Sequence, residues 1–249
     1  IKKIRHMSYL VVGASSGLGR EIAYTFAKEK NDLILVSRDQ KDLSAIESDL
    51  KIRFKVKVKS LNLDFSSTNE IDSKMFSKDE IYKDLKGVLF PVGYMFDTDN
   101  VNLKSKDSQD ILYANYLSIS HTILQLKKYL SSNNSFSIVG FGSVSGFLGR
   151  KLNSNYSAAK RSLESYFESL AFENLNTKTN IQFYVLGYLD TNLSFGKNLK
   201  LPKGSTRRLS EIVYRNINKK FKKKYFPFFW SIIVLILKLV PFFILLKLN

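Results

Sequence analysis

The 249-residue sequence contains no cysteine and only two histidines. Without cysteine, the chain has no disulfide, no thiolate nucleophile and no cysteine-ligated zinc. His6 and His121 alone are too few for a zinc site built from protein side chains. The chain also lacks a Pro/Gly/Ser-rich linker between two comparable halves. We therefore expect one main domain and predict no metal site.

Acidic residues are few: 22 Asp and Glu stand against 39 Lys and Arg, which gives a formal net charge of +17. The basic residues are scattered, and no nucleic-acid-binding module or aromatic–basic platform is recognisable. We therefore predict no nucleic acid as a partner; the charge suits an anionic membrane surface better. Residues 1–12 do not form a signal-peptide pattern, so we expect the body of the protein in the cytoplasm.

Short apolar, β-branched runs alternate with helical patterns along the chain. In residues 1–224 this alternation predicts an α/β fold of the Rossmann type, in which a doubly wound parallel sheet forms a three-layer αβα sandwich. The predicted strands are 9–12, 33–37, 54–61, 87–90, 136–141 and 181–186. The predicted helices are 18–29, 39–50, 66–84, 107–131, 155–175 and 209–220.

Residues 225–249 form an almost wholly apolar C-terminal segment behind a lysine-rich run at 219–224. Two interpretations are open. In the first, 225–229 is a seventh strand, followed by a buried or dimer-interface helix. In the second, the segment is a helical extension seated at a membrane, with the lysines at the anionic cytoplasmic face. Lys238, Pro227 and Pro241 interrupt the segment, so a kinked interfacial helix fits better than a clean span.

A glycine-rich turn, Gly-Ala-Ser-Ser-Gly-Leu-Gly at 13–19, joins the first predicted strand to a helix. Glycine lets the backbone approach a pyrophosphate closely, and a helix N-terminus offers unpaired N–H groups to it. The placement between strand and helix predicts a dinucleotide site. Its predicted residues are Gly13, Ser15, Ser16, Gly17, Leu18 and Gly19.

The end of the second predicted strand bears on which dinucleotide binds. An acidic residue there would accept hydrogen bonds from a free adenosine ribose, but the sequence has Ser37 and Arg38. A guanidinium makes charge-assisted hydrogen bonds to a 2′-phosphate, so NADP(H) is favoured over NAD(H). Asp64, after the third strand, is a candidate for the adenine amino group, or else it caps a helix that begins near Ser66.

Four polar residues form a candidate catalytic set. Tyr156 and Lys160 stand one helical turn apart on the same face. An ammonium close to a phenol favours the phenolate, so we expect a lowered Tyr156 pKa and proton transfer at a carbonyl. Ser143, at a strand end, is expected to hydrogen-bond the same oxygen, and Asn115 to hold a water that relays protons through Lys160. The set predicts an oxidoreductase for a carbonyl/alcohol pair.

With these residues, the chain resembles the short-chain dehydrogenase/reductase family over residues 8–229. The matching features are the GxxxGxG turn, Asn115, Ser143 and the YxxxK pair. The resemblance implies that Gly93, Gly187 and Thr191 also contact the cofactor. The sequence departs from the family pattern at two places. Phe-Pro-Val-Gly stands at 90–93 where the family has Asn-Asn-Ala-Gly, and Leu-Gly stands at 186–187 where the family has Pro-Gly. Both departures affect how the nicotinamide end is held.

A narrower resemblance is to the reductase subunits of decaprenylphosphoryl-ribose 2-epimerases, ketoreductases that act on a polyprenyl-phosphate-linked keto sugar. It rests on Arg150, Lys151, Asn153 and the apolar C-terminal segment. It implies that Arg150 and Lys151 pair with a lipid phosphate, that a partner oxidase supplies the ketone, and that the segment holds the protein at the membrane. The alternative for the two basic residues is a solvated loop.

Two other functions stay open. A second substrate class is a 3-oxoacyl or other lipid ketone, which an apolar segment would also serve. From a different class, the chain would be a catalytically silent NADP(H) sensor or a membrane scaffold, although the intact set of four argues against this. The family resemblance implies a homodimer or homotetramer formed through the helices at 107–131 and 155–175.

Overall fold

A computed structural model describes residues 8–66, 82, 85–99, 104–127, 135–191 and 201–248. Within these ranges, seven strands form one sheet in which every neighbouring pair is parallel. The strands are β1 (Ser8–Val12), β2 (Asp32–Ser37), β3 (Val58–Asn62), β4 (Leu85–Phe90), β5 (Phe136–Ser143), β6 (Thr179–Leu186) and β7 (Phe221–Phe226). Their order, β3-β2-β1-β4-β5-β6-β7, reverses direction between β1 and β4, which confirms the doubly wound fold.

Helices cover both faces of this sheet. They are α1 (Gly17–Lys28), α2 (Gln40–Phe54), α3 (Ser105–Leu112), α4 (Ser118–Leu126), α5 (Ser154–Glu173), α6 (Thr206–Asn216), α7 (Phe229–Leu239) and α8 (Phe242–Leu248). Side chains alternate across each strand, so Val11 of β1 packs into the core beneath α1, α2 and α6. Val12 packs into the opposite core, beneath α4 and α5. The three-layer arrangement is therefore confirmed.

Most predicted elements are present, with shifted bounds. The strand predicted to begin at 54 begins at Val58, because α2 continues to Phe54 and Lys55 ends it in the left-handed region at φ 58°. The helix predicted at 107–131 is interrupted by a π-helical turn, Tyr113–Leu117, between α3 and α4. Its last residues, 128–131, and most of the helix predicted at 66–84 lie outside the described residues.

The C-terminal segment contains the strand and the partly buried helix of the first interpretation, and the membrane seating of the second stays a prediction. A seventh strand exists, but at Phe221–Phe226 rather than 225–229, so the predicted boundary between 224 and 225 falls inside it. The lysine-rich run supplies this strand because Lys222 and Lys224 point to solvent between partly buried neighbours. Pro241 then separates α7 from α8. Within the part of the chain that the structure describes, no helix is long and apolar enough to cross a bilayer.

Candidate active site

A cleft of about 960 Å³ opens at the carboxyl end of the sheet. It is lined by the segments that follow β1, β2, β3, β4, β5 and β6, and it lies over the point where the strand order reverses. Ligands of open parallel sheets bind at this position. The cleft brings together the predicted cofactor and catalytic residues, with the exceptions given below.

The glycine-rich turn forms one end of the cleft. Gly13 and Gly17 adopt positive φ angles of 85° and 50°, which favour glycine. A Cβ on Gly19 would lie 2.0 Å from the carbonyl oxygen of Gly13, so only glycine lets α1 begin this close to β1. Ser16 is the N-cap residue but makes no side-chain cap, and no acidic residue occupies the first turn of α1. The open, positive end of a helix in a cleft fits a dinucleotide pyrophosphate.

The adenosine end of the cleft is built from the ends of β2 and β3. The Ser37 hydroxyl donates a hydrogen bond to Ser15 Oγ at 2.7 Å, which ties β2 to the glycine-rich turn. Arg38 lies in the cleft wall with its guanidinium 5.4 Å from the centre of the Tyr94 ring. The Asp39 carboxylate accepts a hydrogen bond from Asp42 N–H at 3.0 Å. This carboxylate therefore caps α2 and is not directed at the hydroxyl groups of a ribose. This donor set fits a phosphorylated adenosine ribose.

Asp64 also lines the cleft, and most of the helix that it would cap in the alternative lies outside the described residues, so both interpretations of Asp64 stay predictions. Its Oδ1 accepts from the backbone N–H of Ser66 at 2.9 Å and from the Ser66 hydroxyl at 2.8 Å. These bonds close a turn at the start of the segment after β3. The carboxylate borders the adenosine end while it holds this turn.

Tyr156, Ser143 and Lys160 converge in the cleft. Ser143 is the last residue of β5, and Tyr156 and Lys160 lie on one face of α5. The Ser143 side chain acts on the Tyr156 phenol and favours a lower pKa for it, and Lys160 Nζ lies 5.8 Å from the centre of the Tyr156 ring. Two oxygen-bound hydrogens are thus placed together, as a carbonyl oxygen requires for hydrogen bonding and protonation.

The predicted direction of the Tyr156 pKa is wrong. Burial raises this pKa, and the Ser143 side chain and the Arg150 charge oppose the rise only in part. Lys160 Nζ instead donates to the backbone oxygens of Phe141 at 3.2 Å and Val92 at 3.4 Å. The phenol is therefore protonated at neutral pH, which is the form that a proton donor in a reduction needs.

Lys160 is a buried cation. Its side chain is 4% exposed, and burial lowers its pKa from 10.5 to about 8. A pKa near working pH lets the amine carry or release a proton within the site. Burial therefore acts on both members of the pair: it lowers the pKa of the Lys160 amine and raises the pKa of the Tyr156 phenol.

Asn115 is placed differently from the prediction. It lies in the π-helical turn, is fully buried, and is not among the residues that line the cleft. Its amide accepts from Tyr94 N–H at 3.3 Å and donates to the carbonyl oxygens of Tyr94 at 2.6 Å and Ile111 at 2.9 Å. The side chain thus fixes the loop after β4, residues 91–99. Its amide groups are already bonded to the backbone, so they are not placed to hold the predicted water. A π-turn at this position is typical of functional sites.

The nicotinamide end carries the two departures from the family pattern. Gly93 lines the cleft in the loop held by Asn115. Gly187 and Thr191 line it after β6, and the Thr191 methyl group would lie 3.3 Å from a Cβ on Gly17. A Cβ on Gly187 would lie 1.8 Å from Nε1 of Trp230, so the indole of α7 forms the back of this wall.

The three predicted substrate residues separate. Arg150 lines the cleft and donates to the Ser145 hydroxyl at 3.2 Å. Lys151 is exposed and is not a lining residue. Asn153 borders the cleft, but its amide donates to the carbonyl oxygens of Phe96 at 3.2 Å and Asp97 at 3.3 Å. Of these three residues, Arg150 alone places a charged side chain at the cleft.

Two residues that support the site were not predicted from the sequence. Asp99 holds the first turn of α5, and Trp230 packs behind Gly187. An isolated aspartate in a loop carries no signal by itself. The tryptophan does carry one, since it is the only one in the chain and it stands in a segment interpreted as lipid-facing.

With this geometry, comparison with known proteins identifies the class. The family model for short chain dehydrogenase matches residues 8–201, so the chain belongs to the short-chain dehydrogenase/reductase family of oxidoreductases, which interconvert ketones and alcohols. These comparisons do not show the narrower resemblance to an epimerase subunit.

Individual relatives are distant. The chain is 27% identical over 229 residues to a very-long-chain 3-oxoacyl-CoA reductase from Podospora anserina, covering 89% of this chain and 67% of the relative. It is 27% identical over 187 residues to an NADP-dependent 3-hydroxy acid dehydrogenase from Schizosaccharomyces pombe, covering 74% and 72%. The solved short-chain dehydrogenase from Sphingobium yanoikuyae in complex with NADPH superimposes with a TM-score of 0.77 at 21% identity, covering 88% and 87%. That likeness establishes the fold.

Proposed function

We propose that this chain is an NADP(H)-dependent ketoreductase acting on a ketone carried by a long-chain lipid. The observation that carries the proposal is the meeting of Tyr156, Ser143 and Lys160 in the cleft that also contains the glycine-rich turn. Arg38 at the end of β2, with Asp39 engaged in capping α2, supports NADP(H) over NAD(H). An NADPH complex and an NADP-dependent enzyme among the similar proteins support the same choice.

The residues of the chain divide the chemistry as follows. When bound, the reduced cofactor supplies the hydride. Ser143 donates a hydrogen bond to the substrate oxygen, and Tyr156, protonated because burial raises its pKa, gives that oxygen its proton. Lys160 beside the ring stabilises the phenolate that remains. The ketone gains one hydride and one proton and becomes the alcohol.

A fatty 3-oxoacyl ketone is the substrate class best supported. The similar very-long-chain 3-oxoacyl-CoA reductase acts on such a ketone, as its name states. In addition, Tyr188 of the cleft packs edge-on against Trp230 at 5.7 Å between ring centres, so the apolar C-terminal helices begin directly behind the cleft wall. A lipid chain leaving the cleft on this side would meet apolar surface.

A keto sugar on a polyprenyl phosphate is a second candidate. It is favoured by Arg150, whose guanidinium lies in the cleft and whose charge acts on Tyr156. An anionic group next to the ketone would pair with this cation. A partner oxidase that supplies the ketone belongs to this candidate only.

We further propose that α7 and α8 lie on the cytoplasmic face of an anionic membrane. Their outward side chains are large, apolar and mostly more than half exposed, notably Leu235, Ile236, Leu239, Phe242 and Phe243. Lys238 is part of α7, and the exposed Lys222 and Lys224 precede it in β7. Apolar faces with neighbouring lysines favour interfacial binding to anionic lipid.

Oligomer formation through α4 and α5 remains a prediction. Leu117 and Leu124 on this side of the molecule are 44% and 57% exposed. Burial of such side chains in a dimer or tetramer would be favourable. Sedimentation of the purified protein measures the state directly.

Turnover tests the ketoreductase. The purified protein is incubated with NADPH and either 3-oxoacyl thioesters or polyprenyl-phosphate keto sugars, and nicotinamide absorbance is followed. We expect oxidation of NADPH by wild type and a loss of about a thousandfold or more in Tyr156→Phe, which lacks the transferable proton. NADPH binding without turnover of any ketone by wild type would favour a silent sensor instead.

Vesicle flotation tests the membrane proposal. We expect wild type to float with phosphatidylglycerol vesicles more than with phosphatidylcholine vesicles. A triple variant, Leu235→Ser, Leu239→Ser and Phe243→Ser, should stay in solution. Ile52→Ser, which removes a side chain that is 71% exposed on α2, is the matched control and should float like wild type. Equal flotation of the triple variant and the control would refute membrane binding by these helices.

A further inference from the structure

Asp99 is a buried carboxylate that belongs to no predicted site. Its side chain is 1% exposed. Oδ1 accepts from Asn155 N–H and from the Ser154 hydroxyl, both at 3.1 Å. Oδ2 accepts from the backbone N–H of Tyr156 at 2.8 Å. Both oxygens are therefore used, and all three donors lie in the first turn of α5.

These bonds replace an ordinary helix cap. The N-cap residue of α5 is Asn153, and an N-cap side chain usually accepts from the second and third N–H groups of its own helix. Asn153 makes no such bond. Its amide donates away from the helix, to the carbonyl oxygens of Phe96 and Asp97. The second and third N–H groups, of Asn155 and Tyr156, are capped by Asp99 from the loop after β4.

The capping of α5 by Asp99 connects two parts of the active site. Asp99 N–H also donates to the Leu152 carbonyl oxygen at 2.7 Å, and Asn155 Nδ2 donates to the Asp99 carbonyl oxygen at 3.2 Å. The same loop lines the cleft, and the Asn115 amide donates a hydrogen bond to its Tyr94 carbonyl oxygen. The loop is thus fastened at one end to the π-helical turn and at the other to the helix that carries Tyr156.

We propose that Asp99 is a positioning residue that sets the place of Tyr156 relative to the cofactor-side loop. This inference rests on the proposed ketoreductase function. The capped N–H belongs to Tyr156 itself, so a displaced cap moves the backbone that carries the phenol. It also fits the missing Asn-Asn-Ala-Gly element, because a loop with a different sequence at 90–93 has to be held by other bonds. A reacting group displaced by about 1 Å can lose about a hundredfold in rate.

The experiment compares Asp99→Ala, Asp99→Asn and a control that loses a cap elsewhere. Ser205→Ala is the control, because the Ser205 hydroxyl accepts from Arg208 N–H at 3.3 Å and caps α6. Amide hydrogen exchange is measured across the first turn of α5. NADPH affinity is measured by energy transfer from Trp230, the only tryptophan, which packs behind the cleft wall. Turnover is measured with NADPH and with its 4-deuterated form.

We expect faster exchange at Asn155 and Tyr156 and a fall in kcat of about tenfold to a hundredfold in Asp99→Ala, with a larger deuterium isotope effect. Asp99→Asn retains one acceptor and should fall between Asp99→Ala and wild type. The control should lose thermal stability while it keeps its kcat and isotope effect. Asp99→Asn also keeps the proposal testable if Asp99→Ala does not fold.

Three results would overturn the positioning role: unchanged exchange at α5, a wild-type kcat in folded Asp99→Asn, or a kcat that falls only with the folded fraction. Failure of the proposed function is a separate outcome, because it is read from wild type that turns over no ketone. In that case exchange and NADPH affinity decide the role of Asp99. The affinity should then weaken about tenfold in Asp99→Ala and stay unchanged in the control.

Discussion

The indole of Trp230 occupies the space in which residue 187 would carry a side chain. A Cβ on Gly187 would lie 1.8 Å from Trp230 Nε1, and the indole is only 8% exposed. The C-terminal helix α7 is therefore part of the wall that supports the cofactor end of the cleft. Val234 of the same helix is also buried, whereas Leu235 and Leu239 are exposed, so one helix has both a structural face and an exposed face.

Gly187→Ala should destabilise the protein and weaken NADPH binding. The added methyl group overlaps the indole, and overpacking of this kind costs about 1–3 kcal/mol in free energy of unfolding. Chemical denaturation and calorimetric titration with NADPH measure the two effects. Trp230→Leu in the same chain should recover part of the loss. Gly149→Ala is the control, because a Cβ there meets nothing within 4 Å; equal losses in both alanine variants would contradict the explanation.

Arg38→Leu should change the cofactor preference. Removal of the guanidinium takes charge-assisted hydrogen bonds from a 2′-phosphate, each worth about 1.5–3 kcal/mol, or about tenfold to a hundredfold in NADPH affinity. NADH has no phosphate at this position, so its affinity should stay the same. Arg53→Leu, on the exposed surface of α2, serves as the control. A parallel loss of NADPH and NADH affinity would mean that Arg38 only supports the fold.

The rate of ketone reduction should fall as pH rises through about 8. Lys160 has a folded-state pKa of about 8, and above it the amine is neutral and no longer stabilises the phenolate of Tyr156. The measurement is kcat against pH with saturating NADPH and ketone. Lys160→Arg should move this limb upward, because a guanidinium stays charged. A profile that is flat between pH 7 and 9 would argue against this role for Lys160.

Lys160→Met should stabilise the fold while it removes activity. The Lys160 pKa is lower in the folded chain than in the unfolded chain, so below about pH 8 the folded state carries a buried charge at a cost. That cost disappears as pH rises from about 8 to the unfolded value of 10.5. At pH 7 the variant should gain on the order of 1–3 kcal/mol in free energy of unfolding. Urea denaturation at pH 7 and pH 10 tests this. If Lys160→Met gained more free energy of unfolding at pH 10 than at pH 7, the proposed cost of the buried charge would be contradicted.

Local patterns in the sequence were sufficient for the fold. Alternating apolar runs and helical periods predicted a parallel doubly wound sheet, because each strand of such a sheet needs a crossover helix. The YxxxK spacing placed Tyr156 and Lys160 on one helix face for the same local reason. Bounds failed where the boundary depended on packing, as at the lysine-rich run that became β7.

The sequence by itself determined the class of protein, because strand and helix periods, the glycine-rich turn and the catalytic spacing are all local. Only the tertiary structure decided the direction of the Tyr156 pKa, the use of the Asn115 amide, and the roles of Asp99 and Trp230. Burial and hydrogen bonding between residues far apart in the chain set each of these. Such contacts leave no periodic pattern in a sequence, since they depend on which loops meet once the sheet has formed.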